Sequence, residues 1–295
     1  MNYRSQRRAL LLVAATTPLV MTVNACAPLI SPAKDSPSTS LAALERSVGG
    51  RLGVCAIDTA NGKQVQYRAN ERFPFCSTFK AMLGAAVLAQ SVERPQLLQQ
   101  LIVYQRNDLV DYSPVTEQHV GTGMTVADLC RALFAYSDNS AANLLTNLVG
   151  GPTALTAYAR SIGDNTFRLD RLETELDSSL PGDPRDTTTP AAMAASLNLL
   201  TLGNALPAAQ RELLVDWLRG NKVGDKRIRA GVPAGWMVGD KTGTGDYGTT
   251  NDVGVVWPPA RLPIVLAIYY TQTHSDAKPR EDVVAAAARI ALGLA

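Results

Sequence analysis

The spacing of apolar positions changes along the chain and divides it into three parts. In the first part, apolar residues recur with helical spacing over residues 41–48 and again, more densely, from Phe79 to about residue 90. Between these helices, residues 51–57 and 64–67 alternate like strands, and the turn-forming residues 58–62 join them into a predicted hairpin. A further short helix is predicted over residues 95–104.

The middle part is predicted to be almost entirely helical. Two stretches interrupt it: residues 107–120 are loop-like, and residues 167–188 are rich in charge without a regular pattern. A loop as long as the second one is usually functional within a compact domain. The predicted helices cover residues 125–135, 140–148, 152–162, 189–200 and 207–218.

The C-terminal part returns to strands over residues 237–242, 250–257 and 264–270 and closes with a helix over residues 281–292. Strands therefore lie at both ends of the chain, with helices between them. This order predicts an α+β fold, an α/β sandwich in which both chain ends build one antiparallel sheet and an all-helical lobe is inserted. We expect one two-lobed domain over residues 41–295.

The N-terminus has the organisation of a bacterial export signal. Three arginines, the last two being Arg7 and Arg8, precede an apolar run over residues 9–20 that is too short to span a bilayer. We assign residues 1–25 to the signal and expect export to the periplasm. The Arg7-Arg8 pair is compatible with the twin-arginine route.

The segment after the signal leaves two alternatives open. Cys26 follows Asn24-Ala25, which loosely fits lipoprotein processing and a lipid anchor, whereas ordinary cleavage near Ala25 releases a soluble protein. Residues 26–40 include a Ser/Pro-rich stretch and are predicted to be a flexible lead into the fold.

Composition narrows the classes of partner and cofactor. The chain is 46% hydrophobic with a formal net charge of +2, so it is globular and gives no electrostatic case for nucleic acid. The four cysteines are widely spaced and the only histidines are His119 and His274, so we expect no disulfide framework, no metal and no other cofactor. With so few histidines, a Ser-His-Asp triad is not expected either.

Candidate chemistry begins at Ser77 and Lys80, which form a Ser-x-x-Lys motif at the start of the dense apolar helix. Residues three apart on a helix share a face, so the amine can reach the hydroxyl. A lysine whose charge is opposed by burial or neighbours can take the serine proton, and the helix start offers N–H groups to an oxyanion. The alternative is an N-cap serine followed by a solvated lysine.

Three further motifs follow in order. They are Ser137-Asp138-Asn139 at a helix junction, Glu173 in the charged loop, and Lys241-Thr242-Gly243 at a strand end. Each alone also fits an ordinary cap, a surface charge or a strand exit. Together with Ser77 and Lys80, they form the motif set of penicillin-recognising serine enzymes.

On these motifs the chain resembles the class A serine β-lactamases, and within them the Pen-type chromosomal branch. The resemblance covers about residues 41–295 and implies an α/β sandwich with a helical lobe, which matches the predicted order of elements. It implies hydrolysis of β-lactam antibiotics through an acyl-enzyme on Ser77, and thereby β-lactam resistance. Small β-lactam substrates and inhibitors are the implied partners, and we expect a monomer.

The resemblance implies a role for each matching residue. Ser77 corresponds to the acylated nucleophile and Lys80 to the lysine of its proton network. Ser137 corresponds to the serine that relays a proton to the lactam nitrogen, and Glu173 to the general base that activates the deacylating water. Whether Lys80 or Glu173 begins acylation is left open by the family pattern.

Substrate contacts are implied for a second group. Asn139 matches the amide that binds the substrate side chain, and Tyr112 either lines the cleft or only packs. The N–H groups of Ser77 and Thr244 would form the oxyanion hole. Arg171 and Asp186 would brace the charged loop as an ion pair. The substrate carboxylate would be bound by Lys241, Thr242, Thr244 and, in support, Arg227.

Departures from the family pattern concern the deacylation water and the cysteines. The family usually has an asparagine that helps to hold this water, and the chain has Asp177 at that position. An ionised Asp177 beside Glu173 should raise the pKa of one of the two carboxyl groups, so we expect slower deacylation or a shifted pH optimum. Cys130 lacks its usual partner, because that position is Gly84. Cys76 lacks the partner typical of carbapenem-hydrolysing members, which puts carbapenem turnover in doubt.

Two other functions share part of this motif pattern. A penicillin-binding D-alanyl-D-alanine carboxypeptidase shares the Ser and Lys motifs, but Glu173 argues against it because such enzymes stay acylated. A non-catalytic exported binding protein would bind penicillin without covalent acylation, and the intact Ser77, Lys80, Ser137 and Lys241 argue against it.

Overall fold

The computed structural model of the chain describes residues 36–294, and the predicted signal and Cys26 lie outside them. The strands are β1 Arg51–Asp58, β2 Gln64–Tyr67, β3 Phe73–Pro74, β4 Leu101–Ile102, β5 Met124–Thr125, β6 Thr187–Thr188, β7 Met237–Gly245, β8 Thr249–Trp257 and β9 Ile264–Thr271. The α-helices are α1 Pro37–Val48, α2 Phe79–Glu93, α3 Val126–Ala135, α4 Asn139–Val149, α5 Gly151–Ser161, α6 Pro190–Thr201, α7 Ala208–Arg219, α8 Ile228–Gly231 and α9 Glu281–Ala291.

The main sheet is built from both ends of the chain, as predicted. Its strand order is β2-β1-β9-β8-β7, and every neighbouring pair is antiparallel. The central pair joins β1 to β9, with Val54 opposite Ile268. The predicted α+β class, with helices inserted between the two sets of strands, is confirmed.

Helices cover both faces of this sheet. Alternate residues of β1 point to opposite sides, so Leu52 and Val54 pack in one apolar cluster and Cys55 in the other. The first cluster is closed by α1, α8 and α9, and the second by α2, α6 and the other helices of the inserted lobe. Because helices cover both faces of the sheet, its long strands β1, β7, β8 and β9 are buried at nearly every position.

Helix α2 forms the centre of the helical lobe. Every residue from Phe79 to Leu88 is buried, and a helix that is apolar on all sides has to lie inside the protein. Gly84 makes this packing fit, because a Cβ there would lie 2.4 Å from the ring of Phe134 on α3. The lobe thus holds Lys80, which α2 carries, in a fixed position.

Two local predictions need correction. Helix α1 begins at Pro37, inside the predicted flexible lead, because the Ser36 hydroxyl caps it by accepting the N–H of Thr39. The predicted helix over residues 95–104 is wrong: the chain forms a 3₁₀ turn at Leu97–Gln99 and then strand β4, which pairs with β5. The apolar residues of this segment form a strand whose partner, β5, is distant in the sequence, so a local pattern cannot reveal the pairing. Across residues 36–294, no helix is long and apolar enough to cross a membrane.

Candidate active site

The nucleophile candidate lies on a short strained turn between two anchors. Strand β3 pairs with β6, and the ring of Phe75 stacks on that of Phe167 at 5.0 Å. Ser77 follows in a 3₁₀ turn, Cys76–Thr78, that leads into α2. Cys76 has φ +46°, a left-handed conformation that costs a non-glycine residue of order 1–3 kcal/mol and persists only where its surroundings enforce it.

Lys80 is fully buried and points into the same cleft. Its Nζ lies 2.9 Å from Glu173 Oε1 and donates to the main-chain oxygen of Ser137 at 2.8 Å and to Asn139 Oδ1 at 2.6 Å. Ser77 Oγ donates to the same Glu173 Oε1 at 3.0 Å. Hydroxyl and amine therefore meet on one carboxylate oxygen, which is where a proton can pass between them.

Ser137 connects the two lysines of the site. Its hydroxyl accepts from Lys241 Nζ at 2.9 Å and from Lys80 Nζ at 3.3 Å. Its φ of +59° is again left-handed, and it precedes α4, which Asp138 caps by accepting the N–H of Ala141. The serine is thus held between two cations by a strained turn.

Lys241 is fully buried on β7. Desolvation, and then the nearby charge of Lys80, lower the pKa of Lys241 to about 7. Its Nζ also donates to the main-chain oxygen of Thr242 at 3.0 Å. An ammonium at this position, with so few anionic contacts, is suited to bind a carboxylate that arrives from outside.

The charged loop brings Glu173 to the cleft and is fixed at both sides. Asn143 of α4 binds the main chain of Glu173 twice, donating to its carbonyl at 2.8 Å and accepting its N–H at 2.9 Å. Farther along, Asp186 accepts from Arg171 Nε at 2.6 Å, so the predicted ion pair is present. The peptide bond between Glu173 and Thr174 is cis.

Asp177 lies next to Glu173 at the inner end of this loop. Burial, and then the charge of Glu173, raise the pKa of Asp177 well above its ordinary value. Its Oδ1 and the Glu173 Oε2 are both buried, and neither has a hydrogen-bond partner among residues 36–294. Of the two carboxyl groups for which repulsion was predicted, Asp177 is thus the one whose pKa is raised.

A second positive group lies behind Lys241. Arg227 is 5% exposed and donates to the carbonyls of Gly243 and Asn251 at 2.8 and 2.7 Å and to Thr244 Oγ1 at 2.6 Å. The guanidinium thereby orients the Thr244 hydroxyl and keeps β7 and β8 in place. Thr242 is buried beside Lys241 on the same strand.

Strand β7 packs directly against the turn that carries Ser77. A Cβ on Gly243 would lie 2.7 Å from the Phe75 carbonyl and 3.1 Å from the Thr78 N–H, so only glycine allows this approach. On the opposite side of the cleft, Asn139 Nδ2 donates to the Asp111 carbonyl at 3.0 Å. Tyr112 has φ +62° and is 58% exposed, so it lies at the rim and is not a core packing residue.

Comparison with known proteins decides the family. The model of the "Beta-lactamase enzyme family" matches residues 36–294. The chain belongs to this family. It is 52% identical over 290 residues to "Beta-lactamase CTX-M-8" of Citrobacter amalonaticus, covering 98% of each chain.

Two further relatives support the same assignment. "Carbapenem-hydrolyzing beta-lactamase KPC" of Klebsiella oxytoca is 58% identical over 252 residues, which are 85% of this chain and 86% of that one. A solved structure of an "Ancestral (GNCA) Beta-lactamase class A" superposes with a TM-score of 0.84 at 59% identity and covers 88% of this chain and 99% of the other. The predicted class A family is confirmed: the protein is a β-lactamase that hydrolyses β-lactams and so confers resistance.

The structure of this β-lactamase contains positioning residues that the sequence did not reveal. Asn143, which clamps Glu173, lies one turn after Asn139 on α4, and this spacing was an available signal because both side chains face the cleft. Asn251 on β8 donates to the carbonyls of Pro74 and Phe75 at 2.9 and 3.1 Å and so holds the nucleophile turn. No local pattern indicates Asn251, because its partners are distant in sequence.

The cysteines of the β-lactamase are Cys55, Cys76 and Cys130 within the described chain, and all three are buried free thiols. Gly245 occupies the position across from Cys76: a Cβ there would lie 2.7 Å from Cys76 Sγ. A disulfide between this turn and β7 would need a cysteine in place of Gly245. Among residues 36–294, no group of histidine, cysteine and acidic side chains is arranged to hold a metal ion.

Proposed function

We propose that this β-lactamase hydrolyses its substrates in two steps on Ser77, acylation with ring opening and then deacylation, within one catalytic domain over residues 41–295. The observation that carries the proposal is the shared contact of Ser77 Oγ and Lys80 Nζ with Glu173 Oε1, at 3.0 and 2.9 Å. This contact gives the nucleophile a direct proton acceptor. A serine hydroxyl needs such an acceptor before it can attack a carbonyl.

In the first step, Ser77 Oγ attacks the lactam carbonyl carbon while its proton passes to Glu173. The carbonyl oxygen takes up the negative charge and is bound by the N–H groups of Ser77 and Thr244, which lie on either side of the close contact at Gly243. The direct Ser77–Glu173 contact favours Glu173 over Lys80 as the acylation base. When the C–N bond breaks, Ser137 supplies a proton to the nitrogen and recovers one from Lys80. Lys80 in turn takes the proton that Glu173 received from Ser77, so Glu173 is a carboxylate again before the second step.

Substrate orientation falls to the two walls of the cleft. Lys241 binds the substrate carboxylate together with Thr242 and Thr244, and Arg227 supports them by orienting Thr244 Oγ1. Across the cleft, the Asn139 amide binds the substrate side chain and Tyr112 covers it at the rim. Holding both ends of the substrate places the lactam carbonyl over Ser77.

In the second step, Glu173 removes a proton from a water molecule that attacks the ester carbonyl of the acyl-enzyme, and Ser77 leaves with that proton. Asp177 lies beside Glu173 and helps to hold the water. General base catalysis of this kind contributes typically about 10²–10⁴-fold. Because the opened ring stays attached as one molecule, hydrolysis of the ester is what completes each turnover.

The cellular setting is proposed on the N-terminal pattern. We infer export to the periplasm with residues 1–25 as the signal, by either the general or the twin-arginine route. The mature enzyme acts as a monomer, without nucleic acid, and Cys26 either carries a lipid anchor or is removed near Ala25. Mass spectrometry of the enzyme isolated from periplasm and membranes distinguishes the two N-termini.

The test follows acyl-enzyme by mass spectrometry during turnover of a chromogenic cephalosporin and a penicillin. Wild type should turn over many equivalents with little adduct, and Ser77→Ala should form none. Glu173→Gln should form the adduct on Ser77 more slowly than wild type, because the acylation base is lost, and should then retain it, because no base activates the water. A persistent adduct in the wild-type enzyme would favour the carboxypeptidase alternative, and hydrolysis by Ser77→Ala would refute the mechanism.

A further inference from the structure

Two buried carboxyl groups face each other in the active site without a proton donor between them. Glu173 Oε1 is occupied by Ser77 and Lys80, while Glu173 Oε2 and Asp177 Oδ1 are buried and without partners among residues 36–294. The two carboxyl groups lie close enough together for the charge of Glu173 to raise the pKa of Asp177. Two ionised carboxylates are acceptors only, so this contact becomes a hydrogen bond only if one of them carries a proton.

The positive charge near Glu173 and Asp177 is enough to balance a negative charge on only one of the two carboxyl groups. Lys80 of α2 is the cation that acts on Asp177, and it already lies 2.9 Å from Glu173 Oε1. The turn before α2 contributes the Cys76 thiol, a neutral buried group. The segment directly after strand β7 contributes main chain, through the N–H of Asp246, which donates to the Asp177 carbonyl at 2.9 Å. A second buried carboxylate would therefore have no counter-charge.

We propose that Asp177 is protonated in the working enzyme and donates its proton to Glu173 Oε2, so that the pair carries one negative charge and deacylation depends on this shared proton. The proposal rests on the function assigned above and deepens it, because it makes Asp177 a positioning residue for Glu173. The hydrogen bond holds the Glu173 carboxylate with Oε1 directed at Ser77, where that oxygen acts as the base.

Proton balance through deacylation is simple. The attacking water gives one proton to Glu173 Oε1, so the pair holds two protons while the tetrahedral intermediate exists. Glu173 then gives that proton to Ser77 Oγ as the ester C–O bond breaks, and the pair returns to one proton and one negative charge. The Asp177 proton stays in place throughout, and its loss leaves two adjacent carboxylates that repel each other.

The proposal predicts that the deacylation rate falls at alkaline pH, and that the pH of this fall is set by the Asp177 proton. Once the pair loses its last proton, repulsion displaces Glu173, and deacylation should fall about tenfold per pH unit. In Asp177→Asn the amide donates a hydrogen that does not titrate, so the fall should move upward by about one pH unit or more. Asp183→Asn is the matched control, because Asp183 lies on the same loop, where it pairs with Arg185, and is outside the site.

The experiment isolates deacylation from acylation. Acyl-enzyme is first formed at neutral pH with a slowly hydrolysed cephalosporin. The pH is then changed rapidly to a series of values between about 6 and about 10, and the loss of the adduct mass is followed at each pH. The proposal expects wild type and Asp183→Asn to share an alkaline fall that Asp177→Asn shifts. Identical profiles for all three enzymes, or no alkaline fall in wild type, would overturn it.

A second readout does not depend on turnover. The infrared difference spectrum of wild type minus Asp177→Asn at neutral pH should contain the C=O stretch of a protonated carboxylic acid, which the control difference with Asp183→Asn should lack. A difference that shows only carboxylate bands would mean that Asp177 is ionised and the proposal is wrong. Failure of the proposed function looks different, because the adduct on Ser77 would then either never form or never decay in wild type, even at neutral pH.

Discussion

Replacing Asp186 with Asn tests how firmly the loop around Glu173 is held. The Asp186 carboxylate accepts from Arg171 Nε at 2.6 Å and from the N–H groups of Asp170 and Arg171 at 2.7 and 3.0 Å. The side chains of Asp186 and Arg171 are only 1% and 16% exposed. Asparagine suits the substitution because it tolerates the left-handed φ of +53° at this position and changes only the charge.

The magnitude follows from burial. Breaking a buried ion pair by removing one charge costs about 3–5 kcal/mol. Because asparagine keeps an oxygen for the two main-chain N–H groups, we expect the lower end, about 3 kcal/mol. For a domain of this size, that loss lowers Tm by about 6–12 °C. Arg171 also donates to Ser178, which is next to Asp177, so loss of the ion pair should let the loop shift and displace Glu173 slightly. Because a small displacement of a catalytic group lowers the rate strongly, deacylation should fall on the order of 10–100-fold.

Differential scanning calorimetry and adduct decay measure the two effects, with Asp183→Asn as the control. Asp183 makes the same kind of pair on the same loop, but its partner Arg185 is 46% exposed, so screening by solvent should leave Tm and deacylation nearly unchanged. The reasoning fails if the two variants lose the same stability, or if Asp186→Asn keeps both Tm and deacylation.

The remaining predictions concern the substrate-carboxylate pocket. Since the pKa of Lys241 is lowered to about 7, the free enzyme loses this ammonium charge as the pH rises above that value, so the KM for a penicillin should rise on the alkaline side. In Lys241→Arg the charge persists, and steady-state kinetics should show a flatter KM profile. Arg227→Ala leaves the Gly243 and Asn251 carbonyls unpartnered and should cost roughly 2 kcal/mol in a denaturant titration. In the same variant KM should rise more than kcat falls, because Thr244 loses its orienting contact; an unchanged KM would contradict its assigned place.

Elements with strong internal patterns could be predicted from the sequence. Helix α9 and strand β8 differ from their predicted bounds by a single residue at one end, because α9 has a clear helical periodicity and β8 is one continuous buried run. The turn-and-strand segment at residues 97–102 could not be predicted, since its structure is decided by the pairing of β4 with β5. The fold class followed from the order of these elements, and the family and the activity followed from motifs whose spacing is hard to meet by chance.

Prediction of the site was limited in a different way. The motifs identified which side chains would converge, and the structure brings Ser77, Lys80 and Glu173 into hydrogen-bonding contact. Spacing on a helix suggested a direct contact of Lys80 with Ser77, whereas both instead bind Glu173 Oε1, which comes from a loop of irregular sequence. Contacts made by such a loop depend on its anchors, and the main anchor, Asn143, has no motif of its own.

The sheet order has a consequence for how the enzyme comes into being. Strand β1 is synthesised early, but it lies between β2 and β9, and β9 comes from the other end of the chain. Native contacts between such distant segments form slowly, because a long loop must close before they contribute. The turn that carries Ser77 also depends on Asn251 of β8 and on the close contact of Gly243 in β7. The active site is therefore complete only after the last strands have joined the sheet, so we expect β-lactamase activity to appear late in folding and in one cooperative step.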